Sequence, residues 1–138
     1  MVAKTIAELK TDMPQGIVNA IDVADIHNLV DTLEARTNKT VLYKTGSYPA
    51  VAADDLCKIE FDSSSGVTLT IPNTIPSGWE CVVVQKGAGA VTVSVAGSPP
   101  LSRAGHTKTA GQYAIAYVIV TANPGTAPVV YLGGDTAT

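Results

Sequence analysis

Apolar and polar positions change their period once along this chain. In the first part the spacing is helical. Val23, Ile26, Val30 and Leu33, with Leu29 beside them, recur at intervals of three and four and share one face. Asp22 and Asp25 place two carboxylates where the positive end of a helix favours them. Ile21 before that cap and Ile26 after it match a hydrophobic staple, while Arg36 falls in the last turn and Asn38 suits a stop. The pattern predicts a helix from about Asp22 to Arg36. Upstream, Thr5-Ile6-Ala7-Glu8 has the form of a capping box, and Pro14 and Gly16 limit the helix it starts.

From Thr40 the period becomes two. Thr40–Lys44 is a short strand candidate. Cys57, Ile59 and Phe61 then alternate with Lys58, Glu60 and Asp62, giving one apolar and one charged face. Val67–Ile71 alternates again after the turn Ser63-Ser64-Ser65-Gly66, so these two runs are expected to pair as a hairpin. A second hairpin is expected from Cys81–Lys86 and Ala90–Ala96 around Gly87-Ala88-Gly89. Tyr113–Val120 and Val129–Leu132 follow, joined by the turn Asn123-Pro124-Gly125. Seven or eight short strands with frequent turn signals predict a mainly β fold: a short N-terminal helical segment over residues 1–39, then an antiparallel β-sandwich, jelly roll or small barrel over residues 40–138. Ala114–Val120 is nearly all apolar, as befits a strand in the middle of a fold or inside an oligomer interface.

Charge sharpens this division. Among 9 Lys and Arg and 12 Asp and Glu, only Glu80, Lys86, Arg103, Lys108 and Asp135 lie beyond Ser63. Charged residues make up 15% of the chain, below the roughly 25% of typical soluble domains. A β-unit so poor in charge hides much of its surface or sits in an ordered array. Net charge is −3 and no Lys or Arg block exists, which argues against a nucleic-acid partner and against a polybasic membrane patch. Met1–Ile6 lacks the apolar region of a secretory signal, so synthesis in a cytoplasm is expected. The longest apolar run is too short to span a bilayer.

Candidate chemistry is sparse, and neither catalysis nor a cofactor is expected. His27 and His106 read as solvent-facing, and no Gly-x-Ser-x-Gly elbow accompanies them. Cys57 and Cys81 are either two buried thiols or a disulfide between neighbouring strands. Neither spacing nor carboxylate pattern matches a metal site, and Asp54-Asp55 reads as a solvated turn. Gly87-Ala88-Gly89 shares the opening of a phosphate-binding fingerprint, but Thr92 stands where its third glycine belongs and a strand follows, so a turn is expected. Trp79 is either a core or interface plug or a sugar-stacking surface. The helical stripe Val23, Ile26, Leu29, Val30 and Leu33 either covers one end of the β-domain or packs against copies of itself or a partner.

Segments that together span most of the chain resemble small structural proteins of tailed bacteriophages. The run Thr11-Asp12-Met13-Pro14-Gln15-Gly16 through Ile21-Asp22-Val23-Ala24-Asp25-Ile26 looks like a docking segment of phage fibre and head-surface proteins. In the β-half, Val67-Thr68-Leu69-Thr70-Ile71-Pro72, Ser77-Gly78-Trp79-Glu80, Val82–Gly87, Gly89–Val93 and Gly111-Gln112-Tyr113-Ala114 occur in an order similar to β-domains of phage fibre, baseplate and capsid-accessory proteins. The ending Val129–Asp135 is similar to the way such domains close. The resemblance implies a virion structural role, commonly as a homotrimer, and brings no catalytic residues. The expectation is a capsid decoration or head-fibre protein bound to the major capsid protein. The alternative is a tail-fibre or baseplate protein binding host-surface glycans, with Trp79 as a contact.

Overall fold

The computed structural model describes the backbone of residues 23–37, the side chains of residues 26–33, and all of residues 40–138. The expected capping box, the Pro14–Gly16 break, the Ile21 staple and the Asn38 stop lie outside the described residues, as do the side chains of Val23 and Arg36. The chain divides into two units, Met1–Asn38 and Lys39–Thr138. In the first, helix α1 runs Val23–Thr37, one residue displaced at each end from the sequence expectation.

The second unit is a mainly β, sandwich-like pair of five-stranded sheets. Its strands are β1 (Val41–Lys44), β2 (Tyr48–Pro49), β3 (Lys58–Phe61), β4 (Val67–Ile71), β5 (Glu80–Gln85), β6 (Val91–Val95), β7 (Lys108–Thr109), β8 (Ile115–Ala122), β9 (Val129–Gly134) and β10 (Thr136–Ala137). One sheet is ordered β1-β3-β5-β8-β9 and the other β10-β7-β6-β4-β2. Consecutive strands from β1 to β6 therefore alternate between sheets, and each pairs in parallel with the strand two places on. The remaining pairings, from β5–β8 and β6–β7 onward, are antiparallel. The sheets are thus mixed, not antiparallel throughout.

This topology corrects both expected hairpins at Ser63–Gly66 and Gly87–Gly89. These turns are arches that carry the chain across the core from one sheet to the other. Alternation fixes which side chains turn inward, and an arch and a hairpin share it. They differ in where the backbone bonds go, which local sequence leaves open. In the first sheet Lys58 pairs with Val82, and in the second Val67 pairs with Val91. The offset is 24 residues in both sheets, so β3–β4 and β5–β6 are two stacked rungs of one coil. Val67-Thr68-Leu69-Thr70-Ile71 lies over Val91-Thr92-Val93-Ser94-Val95 as a structural repeat. Opposite charges also stack: Lys86 lies 3.1 Å from Asp62 and 3.4 Å from Glu60. Their carboxylates, Asp62 foremost, raise the Lys86 pKa above its usual range.

Val, Ile, Leu and Ala supply most of one core, and Trp79 and Phe61 are its largest side chains. Ile59 and Phe61 of β3, Val83 of β5 and Ala116, Val118 and Val120 of β8 join Leu69 and Ile71 of β4 and Val91 of β6; all are essentially inaccessible. Each strand turns its alternate residues inward, so a single period-two pattern per strand suffices. One polar pair is sealed within this unit. Thr109 Oγ1 donates to Gln85 Oε1 at 2.5 Å and accepts from Val91 N at 2.9 Å. Gln85 Nε2 donates to the carbonyls of Gly87 and Ala88 at 3.1 and 3.3 Å. Thr109→Val keeps the shape but strands the Gln85 carbonyl and the Val91 N–H. It is expected to cost about 2–3 kcal/mol in urea unfolding, because buried groups lose partners without access to water. A change below about 0.5 kcal/mol would show that the pair is not a structural latch.

The β8–β9 hairpin forms at Asn123-Pro124-Gly125 as the sequence predicts. Asn123 also ties it to the β4–β5 connection. Its Nδ2 donates to the carbonyls of Asn73 and Ile75 at 2.8 and 2.6 Å, and its Oδ1 accepts from Gly125 N at 2.8 Å. No described helix is long and apolar enough to cross a membrane.

Candidate interaction surface

Residues with chemical potential serve the fold instead. Asp54 is buried, where the sequence suggests a solvated turn: it accepts from the Tyr48 hydroxyl at 3.0 Å and from Val51 N at 2.9 Å. Burial, then the Asp54 carboxylate, pushes the Tyr48 phenol up. Asp55 Oδ1 accepts from Glu80 N at 3.0 Å and so fixes the start of β5. His106 is half-buried, not solvent-facing, with Nδ1 hydrogen-bonded to Thr136 Oγ1 at 3.0 Å; His27 is exposed on α1. Among the described residues no three His, Cys, Asp or Glu side chains converge as a metal site.

Trp79 is 1% exposed and belongs to the core. Neither face of its ring is available to a sugar, which overturns it as a glycan contact. Its Nε1–H finds no acceptor among the described residues. The ring is held for its bulk.

Cys57 and Cys81 are both buried and free. Burial raises both thiol pKa values, that of Cys81 strongly. A protonated, covered thiol is a poor nucleophile. In native protein at pH 8, both should react with a thiol reagent slower than in urea by on the order of a hundredfold, since reaction requires local opening. Instant reaction of one equivalent would contradict this placement.

Gly87 and Gly89 mark a close approach, not a phosphate cradle. Gly89 N donates to Ser63 O at 2.9 Å and Gly87 N to Phe61 O at 3.1 Å. The upper arch therefore lies directly on the lower one.

The most distinctive surface is the outward side of the first sheet. Along β8, Ala116, Val118 and Val120 turn inward while Ile115, Tyr117 and Ile119 turn outward. The apolar run Ala114–Val120 is thus explained by one face in the core and one in the open. Tyr131 of β9 pairs directly with Ile119, and Tyr117 pairs with Val82 of β5. Tyrosines that look scattered in sequence, Tyr117 and Tyr131, meet on one face through strand pairing. Their exposures are 51% and 48%, with Ile115 at 45% and Ile119 at 40%. These four side chains present roughly 400 Å² together, the size of the largest apolar patch on a typical monomer, which is often functional. Charge on this face lies on and just beyond β3 and β5, at Lys58, Glu60 and Glu80 and at the Asp62–Lys86 pair past the strand ends. A depression of about 220 Å³ opens among Leu56, Cys57, Val82, Tyr117 and Ile119.

On α1 the stripe is unevenly covered: Leu29 and Leu33 are exposed while Ile26 and Val30 are half-buried. Comparison of the chain with protein families, with curated proteins and with solved structures finds no match in any of the three.

Proposed function

We propose that this chain is a non-catalytic structural subunit of a tailed-bacteriophage virion, assembled in the host cytoplasm, and that it decorates the head as a capsid decoration or head-fibre protein. The reading joins the sequence resemblance to one structural observation that carries it. A tightly packed β-unit, whose reactive side chains serve packing and hydrogen bonding, leaves a broad charge-poor apolar face in the open. A face of this kind suits a subunit that is covered on assembly.

In this reading the N-terminal unit grips the major capsid protein through the α1 stripe, with Leu29 and Leu33 foremost, and the β-units cluster as a homotrimer. Each bound copy would add contacts across shell subunits and raise particle stability by mass action. The alternative, a tail-fibre or baseplate protein binding host glycans, is favoured by Tyr43 and Tyr113, which are 73% and 72% exposed. Tyr113 also keeps a left-handed backbone, φ 69°, that costs a non-glycine residue about 1 kcal/mol.

The test is reconstitution. Purified chain added to heads from a phage deleted for it should co-sediment with them and raise the temperature at which they release DNA. Leu29→Glu with Leu33→Glu should abolish binding without altering the melting of the β-unit. Binding to tails alone, or to no particle, would overturn the decoration reading. Glycan binding lost in Tyr43→Ala or Tyr113→Ala would establish the alternative.

A further inference from the structure

We infer that copies of this chain bind one another through the β8–β9 half of the first sheet's outer face, with Tyr117, Ile119 and Tyr131 at its centre. This rests on the assembly half of the reading above and names the surface involved.

Three observations select another copy of this chain as the occupant. The first is the distribution of charge across the sheet. Ile115, Tyr117, Ile119 and Tyr131 form an uncharged aromatic and aliphatic centre, and Lys58, Glu60, Asp62, Glu80 and Lys86 lie to one side. Interfaces between protein subunits have this form, with charge depleted at the core and polar groups at the rim. The rim carries both signs on neighbouring strands, so a rotated copy can set Lys58 against Glu80 instead of like against like. A partner with a strongly charged surface would find no matching field.

The second is area. A stable interface takes about 800 Å² from each partner. The four central side chains supply roughly half of that, and Val82 and Val84 of the neighbouring β5 lie on the same side of the sheet and extend it.

The third is shape. The face carries projecting tyrosines and, beside them, a hollow of about 220 Å³ lined by Val82, Tyr117 and Ile119 and by Lys58 and Glu80 of the rim. That volume falls below the roughly 300–1,000 Å³ of small-molecule sites and suits a single inserted side chain. Projections and a recess on one surface let the tyrosines of one copy enter the recess of the next, the heterologous contact that closes a threefold ring.

The contact uses the face of the sheet and not its β9 edge. β9 is the last strand of its sheet, but its edge is occupied: Leu101 N donates to Val130 O and Leu132 N to Leu101 O, both at 2.8 Å. Edge-to-edge extension is therefore blocked on the side next to the apolar centre.

Sedimentation equilibrium of the full chain at micromolar concentration tests the inference. The wild type should run at a multiple of 14.2 kDa. Tyr117→Asp with Ile119→Asp should run as a folded 14.2 kDa monomer with unchanged circular dichroism. A wild-type monomer, or a folded double variant that keeps the wild-type mass, would overturn it. If the aspartates prevent folding, Tyr117→Ser and Tyr131→Ser take their place, each expected to weaken association about tenfold; unchanged association would overturn it equally. Loss of head binding in the Leu29 and Leu33 variants with the oligomer intact bears on the shell contact and leaves this surface standing.

Discussion

Gly89→Val is expected to destabilise the β-unit by about 3 kcal/mol or more, placing it among the severe class of point substitutions. The cause is space, not backbone dihedral. A Cβ on Gly89 would fall closer than 3.0 Å to the carbonyl of Ser65 and to Gly66 N, and one on Gly87 would overlap the Ser63 backbone in the same way. Those neighbours are main chain and cannot rotate aside. Relief would have to come from separating the two arches, which breaks the Gly89–Ser63 and Gly87–Phe61 hydrogen bonds. It would also pull Gly87 and Ala88 off the Gln85 amide. Ala88, between the two glycines, is exposed, and Ala88→Val should shift stability by less than about 0.5 kcal/mol. Urea unfolding of both variants makes the comparison. Equal, small effects would mean that the rungs do not stack.

Trp79→Ala should cost about 3–5 kcal/mol, the range for removing a large aromatic side chain from a packed core. The surrounding backbone holds the site open. Trp79 O accepts from Val120 N at 2.8 Å, and Gly78 N donates to Val120 O at 2.7 Å, so β8 cannot easily close over the space. Trp79→Phe should cost less than half as much, because it keeps a ring and removes the N–H that lacks an acceptor among the described residues. As the only tryptophan in the chain, Trp79 reports its own burial: native emission should be blue-shifted and should move to the red on unfolding. Sugar binding lost in Trp79→Ala would then reflect unfolding, so a glycan reading has to be tested on the exposed tyrosines instead.

The elements that the sequence predicts well are those whose signal is local. α1 follows from the spacing of Val23, Ile26, Val30 and Leu33, and β8–β9 from two apolar runs around Asn123-Pro124-Gly125. Pairing was less accessible. Nothing in Phe61–Val67 says whether the chain doubles back within a sheet or crosses the core. One longer-range signal does exist: Val-Thr-Leu-Thr-Ile and Val-Thr-Val-Ser-Val recur 24 residues apart, the period of the stacked rungs. The glycines of the upper arch fit that stack, since they lie over the serines of the lower one. The interaction surface was half legible. The apolarity of Ala114–Val120 on both sides points to an interface, but Tyr131 joins Tyr117 and Ile119 only through the β8–β9 register. Asp54 is the converse case: a carboxylate in a polar turn reads as solvated until Tyr48, six residues earlier, folds over it.

Labelling assembled virions with an antibody fragment against the β-unit is the most direct measurement of the proposed role. The account predicts many copies distributed regularly over the head, and their loss when Leu29 and Leu33 are replaced by glutamate. Label confined to the tail tip, or absent from the particle, would contradict it.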